Sequence, residues 1–285
     1  MFLIRILARL PFPLVYGLSA VLAWLLDKVV RYRRKVIEDN LRFAFPEKAP
    51  EEIRQLRRKF YLHFTDLWLE AFKGLEMSEQ EYRKRVKLLN PEPLFQFLKE
   101  GRPVMVLSSH RSGWEWLTPS HSLILNVPID ATYKKVQSQF FEKLMYQIRS
   151  RFGARMVEKQ ELLRDSIRRN HIPRLLAIMS DQSPHKALNS LWIPFMNRPA
   201  PFYNASEKLA RKLKMPVIYA DMQRVKRGHY EVIFRLITDN PETMPENKIT
   251  ETYVQLIEEG IRQAPADYLW SHRRWKHRPP EELQS

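Results

Sequence analysis

The chain has 285 residues, 44% of them apolar, enough to bury a sizeable core in one large or two small domains. Its 48 Lys and Arg against 32 Asp and Glu leave a formal charge of +16, which points to a polyanionic partner: nucleic acid, anionic lipid headgroups or an acidic carrier. The lack of cysteine excludes disulfides, thiolate catalysis and Cys-ligated zinc, and no phosphate-cradling glycine loop occurs among only 7 glycines.

The first element is the uncharged run "LPFPLVYGLSAVLAWLL", Leu10 to Leu26. At about 1.5 Å per residue in a helix it approaches the length of one bilayer crossing. Pro11, Pro13 and Gly17 weaken it as a straight span. Arg5 and Arg9 precede it, and Lys28, Arg31, Arg33, Arg34 and Lys35 follow. The heavier C-terminal cluster places the body in the cytoplasm if the segment spans, and equally suits an interfacial helix on anionic lipid. The run ends in Trp24, Leu25, Leu26 and Asp27 rather than at a small-x-small cleavage site. Residues 1–35 are therefore expected to be a hydrophobic membrane-anchoring helix with a basic flank, separable from a folded body at 36–285. A buried core helix is the alternative.

Residues 31 to 100 read as mostly helical, with Ile53, Leu56, Phe60, Phe64, Leu67 and Phe72 spaced three and four apart. After "EGRP", Val104 to Leu107 read as a buried strand, followed from Gly113 by a helix interrupted at Pro119. Further apolar runs at 175–180, 216–220 and 230–237 read as strands, and 138–151, 160–169 and 204–214 as helices. This alternation predicts an α/β fold, a mixed sheet flanked by helices.

Ligands of open α/β sheets sit beyond the carboxyl ends of strands, and His110 and Asp181 each fall just past a predicted strand end. Glu115 lies five residues after His110. In one regular helix the two would face different sides, so they can meet only if His110 precedes the helix. Gly113 eases such a turn, and Glu115 in the first helical turn can then reach back to an imidazole nitrogen. A carboxylate there fixes the tautomer and raises the basicity of the other nitrogen, as a general base for a hydroxyl requires. Ser108 and Ser109 suggest serine nucleophile chemistry as a rival, but no G-x-S-x-G elbow is present. No H-E-x-x-H or other metal-ligand spacing occurs among the 8 histidines, so no metal is expected.

Six blocks together resemble the bacterial lipid A biosynthesis acyltransferase family. They are "NLRFAFPEKAPEEIRQLRRKFYLHFTDLWLEAF" (40–72), His110-x-x-x-x-Glu115, "RSRFGARMV" (149–157), "MSDQSP" (179–184), "PFMNRPAPFYNASEKLARKLKMPVI" (194–218) and "YLWSHRRWKHRP" (268–279). The histidine–acid spacing is shared with the wider glycerophosphate acyltransferase superfamily, whereas the 40–46 block and the "HRRWK" ending are more specific. Between His110 and Glu115 this chain has Arg111, Ser112, Gly113 and Trp114, where family members often have Phe-Gly-Asn-Trp.

The resemblance implies a glycerophosphate-acyltransferase-like domain on the cytoplasmic face of the bacterial inner membrane. It implies a fatty acyl thioester on acyl carrier protein as donor and, as acceptor, a hydroxyl on a 3-hydroxyacyl chain of a lipid A precursor. His110 would take the hydroxyl proton and Glu115 would orient it. An arginine before Gly153, Arg149 first and Arg151 second, would hold a phosphate or the developing oxyanion. Asp181 with Gln182 would shape the site, and Arg198 would meet a phosphate. Neither cofactor nor metal is implied; the partners are acyl carrier protein, the lipid A precursor and membrane lipid. Two rivals remain. One is an acyltransferase acting on a lysophospholipid or another glycolipid. The other is a basic, membrane-associated nucleic-acid-binding protein, for which the aromatic and cationic "WSHRRWKHRP" tail is the motive.

Overall fold

The computed structural model describes residues 2–187 and 190–281. The apolar runs become strands β1 (Val86–Leu88), β2 (Val104–Ser108), β3 (Ile129–Tyr133), β4 (Arg155–Glu158), β5 (Leu175–Met179), β6 (Leu191–Phe195), β7 (Arg198–Phe202), β8 (Val217–Lys226) and β9 (His229–Thr238). Seven of them form one sheet in the order β1-β9-β8-β2-β5-β3-β4, while β6 and β7 pair as a separate antiparallel hairpin. Within the sheet only β8 and β9 run antiparallel to each other, so the expected mixed sheet is present. β2 lies near its middle and is buried at all five positions, which is why it reads as a continuous apolar run.

Four strands stand where the apolar runs place them, but β8 continues beyond 220 through "DMQRVK" into a long hairpin with β9. β3 and β4 lack an apolar signature because they carry paired charges. The buried Asp130 on β3 accepts from Arg174 at 2.6 Å and Arg169 at 3.2 Å, and Arg155 on β4 holds Asp165 through both terminal nitrogens at 2.7 Å. In β6 and β7, Pro194, Pro199 and Pro201 are tolerated because the hairpin sits outside the main sheet.

In front of the sheet lies the 24-residue helix Pro50–Lys73. Proline suits its first position, and the Glu52 carboxylate accepts the Ala49 N–H at 2.9 Å, satisfying one otherwise unpaired donor. Two N-terminal helices, Phe2–Arg9 and Phe12–Trp24, lie against it, the second widening into a π turn at Leu25–Val29. Their polar groups pair inward with its side chains. Lys73 donates to the carbonyls of Ala8 (2.7 Å) and Leu10 (2.6 Å) and the Tyr16 hydroxyl donates to Glu70 (2.9 Å). Ser19 pairs with Thr65 (2.8 Å), and Arg57 donates to Asp27 (2.8 Å). Residues 1–35 are thus paired, side chain by side chain, with the body that follows them. Deleting them would strand buried Arg57 without Asp27, and breaking a buried ion pair from one side is strongly destabilising.

Candidate active site

Strands β2 and β5 are parallel neighbours with Ser108 opposite Met179. Two residues past each of these ends come His110 and Asp181, so sheet register alone brings them together. The Asp181 carboxylate accepts twice from His110, from the backbone N–H at 3.0 Å and at the imidazole Nδ1 at 2.6 Å. Asp181 is fully buried, whereas the His110 side chain keeps 21% exposure. Burial alone would raise the Asp181 carboxyl, but the imidazole and the His110 N–H overcome it and hold its pKa below the usual aspartate value. Burial likewise opposes the charged imidazole, and the Asp181 carboxylate outweighs it, so the His110 pKa is raised. With Nδ1–H given to Asp181, Nε2 carries the lone pair, to which the Gln182 amide nitrogen can donate across a long 3.4 Å contact.

Glu115 does not orient the imidazole, contrary to expectation. It sits in the 3₁₀ turn Trp114–Trp116, where Arg149 grips its carboxylate bidentately (Nε 2.9 Å, Nη2 2.7 Å) and the Trp114 indole N–H donates at 3.1 Å. The position beside Nδ1 is taken by Asp181, delivered by the adjacent strand, while the Glu115 charge still helps raise the His110 pKa from a distance. Trp114 also sets its ring edge-on to the imidazole at 5.5 Å, acting as a wall. The turn itself is made by Ser112, at φ 55°, rather than by Gly113. Gly113 is required for another reason: a Cβ there would come within 2.7 Å of the Tyr230 ring.

The loop is braced from behind. Buried Arg111 turns away from the cleft to pair with Asp221 and to donate to the Gly260 carbonyl at 3.2 Å. The C-terminal tail closes the far side: Ser112 N–H donates to the Asp267 carbonyl (2.8 Å) and Leu269 N–H to the His110 carbonyl (3.1 Å). Beyond it, His272 Nε2 accepts the Ser183 N–H at 2.9 Å; burial pushes this imidazole down to about 4, so it stays neutral. One tail thus ties the His110 loop to the Asp181 loop. Asn40 fastens the tail in turn by donating to the carbonyls of Trp270 (2.8 Å) and His272 (2.7 Å).

The remaining candidates separate from this centre. Arg151 turns aside to donate to the Gly74 carbonyl at 2.5 Å and lies over Phe152. Arg198 stands exposed at the β6–β7 hairpin, 3.9 Å over the Phe43 ring. The serine hydroxyls are engaged behind the strand end, Ser108 donating to the Ala220 carbonyl at 2.9 Å and Ser109 paired with the Tyr219 hydroxyl at 3.0 Å. In the tail, Arg274 points inward onto Phe202 at 3.9 Å and donates to the Pro201 carbonyl, so the "HRRWK" cations do not form one continuous exposed strip.

The two blocks most specific in sequence, 40–46 and the tail, meet in space behind the His110 loop. The profile of a family described as bacterial lipid A biosynthesis acyltransferase matches residues 1–277, thus spanning both strand-end loops and the tail that joins them. The chain belongs to this family. Among similar curated proteins is the lipid A biosynthesis palmitoleoyltransferase of Escherichia coli K12, 23% identical over 273 residues, covering 95% of this chain and 88% of that protein. The lipid A biosynthesis acyltransferase of Shigella flexneri matches to the same extent. The E. coli lipid A biosynthesis lauroyltransferase is 21% identical over 281 residues, covering 96% and 89%. An imidazole with a buried carboxylate on one nitrogen can take up a proton on the other.

Proposed function

We propose that this lipid A acyltransferase transfers a fatty acyl chain from acyl carrier protein to a hydroxyl of a 3-hydroxyacyl chain on a lipid A precursor. The reaction would run at the cytoplasmic face of the bacterial inner membrane, on a glycerophosphate-acyltransferase-like domain. The observation that carries this reading is the His110–Asp181 pair, whose Nε2 has only the long contact from the Gln182 amide to displace. His110 Nε2 takes the acceptor proton as the hydroxyl oxygen attacks the thioester carbonyl; Asp181 orients the ring and stabilises the imidazolium. The tetrahedral intermediate then expels the carrier thiolate, which takes the proton back from Nε2. Glu115 holds Arg149, whose Nη1 lies outside the bidentate pair and is available to the developing oxyanion. Arg198 and the exposed Arg273, Lys276 and Arg278 add positive surface for the acidic carrier or the acceptor phosphates. The chemistry needs no metal and no nucleotide, since the thioester is already activated.

The test is mass spectrometry of a lipid A precursor incubated with acyl carrier thioester and wild-type or His110→Ala protein, with a lysophospholipid as competing acceptor. Addition of one acyl chain to the precursor, lost in the variant, is expected. Preferential acylation of the lysophospholipid would move the substrate assignment to glycerolipids.

A further inference from the structure

We propose that the N-terminal apolar segment lies in the plane of the membrane surface, against anionic lipid, and does not cross the bilayer. The inference rests on the membrane-bound reading above and names the geometry of that attachment. Helix Phe12–Trp24 has two unlike faces. Val15, Ser19 and Ala23 are buried against helix Pro50–Lys73, while Leu14 (61% exposed), Leu18, Val21 (56%) and Trp24 (58%) face outward. Spacings of four, three and three residues put those outward side chains on one stripe.

The inward face is bound to charge. Asp66, which hydrogen-bonds Ser19, is also held by Arg227 at 2.8 Å, and Glu70, which takes the Tyr16 hydroxyl, also takes that of Tyr230 at 2.6 Å. A spanning helix would have two courses. It could carry its partner helix with it, bringing the exposed Arg54, Arg58 and Lys59 toward the hydrocarbon, where each charge is costly. Or it could leave, abandoning buried Arg57, Asp66 and Glu70. Lying flat requires neither. The exposed stripe enters the headgroup boundary while the paired face stays on the protein.

Cations frame the stripe at both ends: Arg5 and Arg9, which share the one Glu76 carboxylate yet stay 52% and 70% exposed, precede it, and Lys28, Arg31, Arg33 and Lys35 follow. Helix Phe2–Arg9 extends the apolar surface with exposed Phe2, Leu3 and Ile6. Its Ile4 packs into one cluster with Trp68, Phe72 and Phe141. That cluster includes helix Gln139–Arg149, which delivers Arg149 to Glu115 and exposes Phe140, with Val136 exposed just before it. The helix bearing the outermost exposed apolar residues thus packs against the helix that delivers Arg149 to the site.

The chain has no cysteine, so single-cysteine variants report cleanly. Arg9→Cys and Lys35→Cys, on either side of the apolar run, are exposed to a membrane-impermeant maleimide in intact spheroplasts and in inverted inner-membrane vesicles. Both should label in inverted vesicles and neither in spheroplasts; labelling of Arg9→Cys from outside would establish a span and overturn the proposal while leaving membrane attachment intact. In a second arm, full-length protein is floated with phosphatidylethanolamine–phosphatidylglycerol vesicles. Combined Leu14→Asp, Leu18→Asp and Val21→Asp should cut the floated fraction at least tenfold with unchanged circular dichroism, and unchanged flotation would overturn the docking face. A wild-type chain that does not float at all would sink the membrane-bound reading itself.

Discussion

Two acid–base pairs stand side by side at this strand end, and they do different work. In His110–Asp181 the cationic partner is an imidazole that can give up its proton, and its second ring nitrogen is met only by the Gln182 amide at 3.4 Å. In Arg149–Glu115 the guanidinium stays charged at any ordinary pH, and both carboxylate oxygens are occupied. The first pair can move a proton; the second is a fixed dipole that shapes the turn and presents a cation. Distance along the chain predicts the wrong partner for His110. The acid five residues away is captured by an arginine from another helix, while the acid that orients the ring arrives from the next strand.

The most severe way to break this division is His110→Ala. Acyl transfer should fall on the order of 10²- to 10⁴-fold, the usual contribution of general acid–base catalysis, with the fold retained. Steady-state rates with carrier thioester, alongside thermal unfolding, measure both.

Asp181→Asn should cost about 10²-fold or more and should move the pH profile, which a purely structural residue would not. The base must be neutral to act, so wild-type activity rises with pH through the His110 pKa, held above the ordinary histidine value. Removing the carboxylate lowers that pKa, and the rising limb should shift to lower pH. In a double-mutant cycle the His110 and Asp181 losses should not multiply. A limb that stays in place would transfer the orienting role elsewhere.

Glu115→Ala should destabilise by about 3–5 kcal/mol, because it leaves Arg149 unpaired at a largely buried site. Adding Arg149→Met should recover much of that stability while activity stays low. Recovery of activity as well would show that the fixed pair has no part in catalysis.

The mildest test uses a third acid. Glu70 is buried between Tyr16 and Tyr230, and burial raises its pKa to about 7. Because the folded state holds this proton more tightly than the unfolded state, stability should decline as pH rises from about 4.5 through about 7, by on the order of 3 kcal/mol. Glu70→Gln should flatten that slope in denaturant titrations across the range.

What could be read from the sequence follows from burial. β2 and β5 are sandwiched on both faces, so they appear as uninterrupted apolar runs, and the residues just past their ends appear as site candidates. β3 and β4 hide because Asp130 and Arg155 neutralise one another and their neighbours only after folding. Since β3 and β4 lie beyond β5 in the sheet, nothing local states that β5 returns to pair with β2. The His110–Asp181 contact is thus a product of strand order. The direction of Arg274 is equally non-local: its inward turn depends on Phe195 and Phe202 of the hairpin, which give its guanidinium aromatic faces to cover.

The tail that ties the two loops has a consequence in time. Residues 267–272 are synthesised long after His110, yet they supply the carbonyl and N–H partners on which the His110 loop rests. A growing chain can already expose its apolar N-terminal stripe while this loop lacks its bracing. Under the proposed attachment, any contact with lipid would precede competence, and the His110–Asp181 centre would be completed only as residues 267–272 fold back across it.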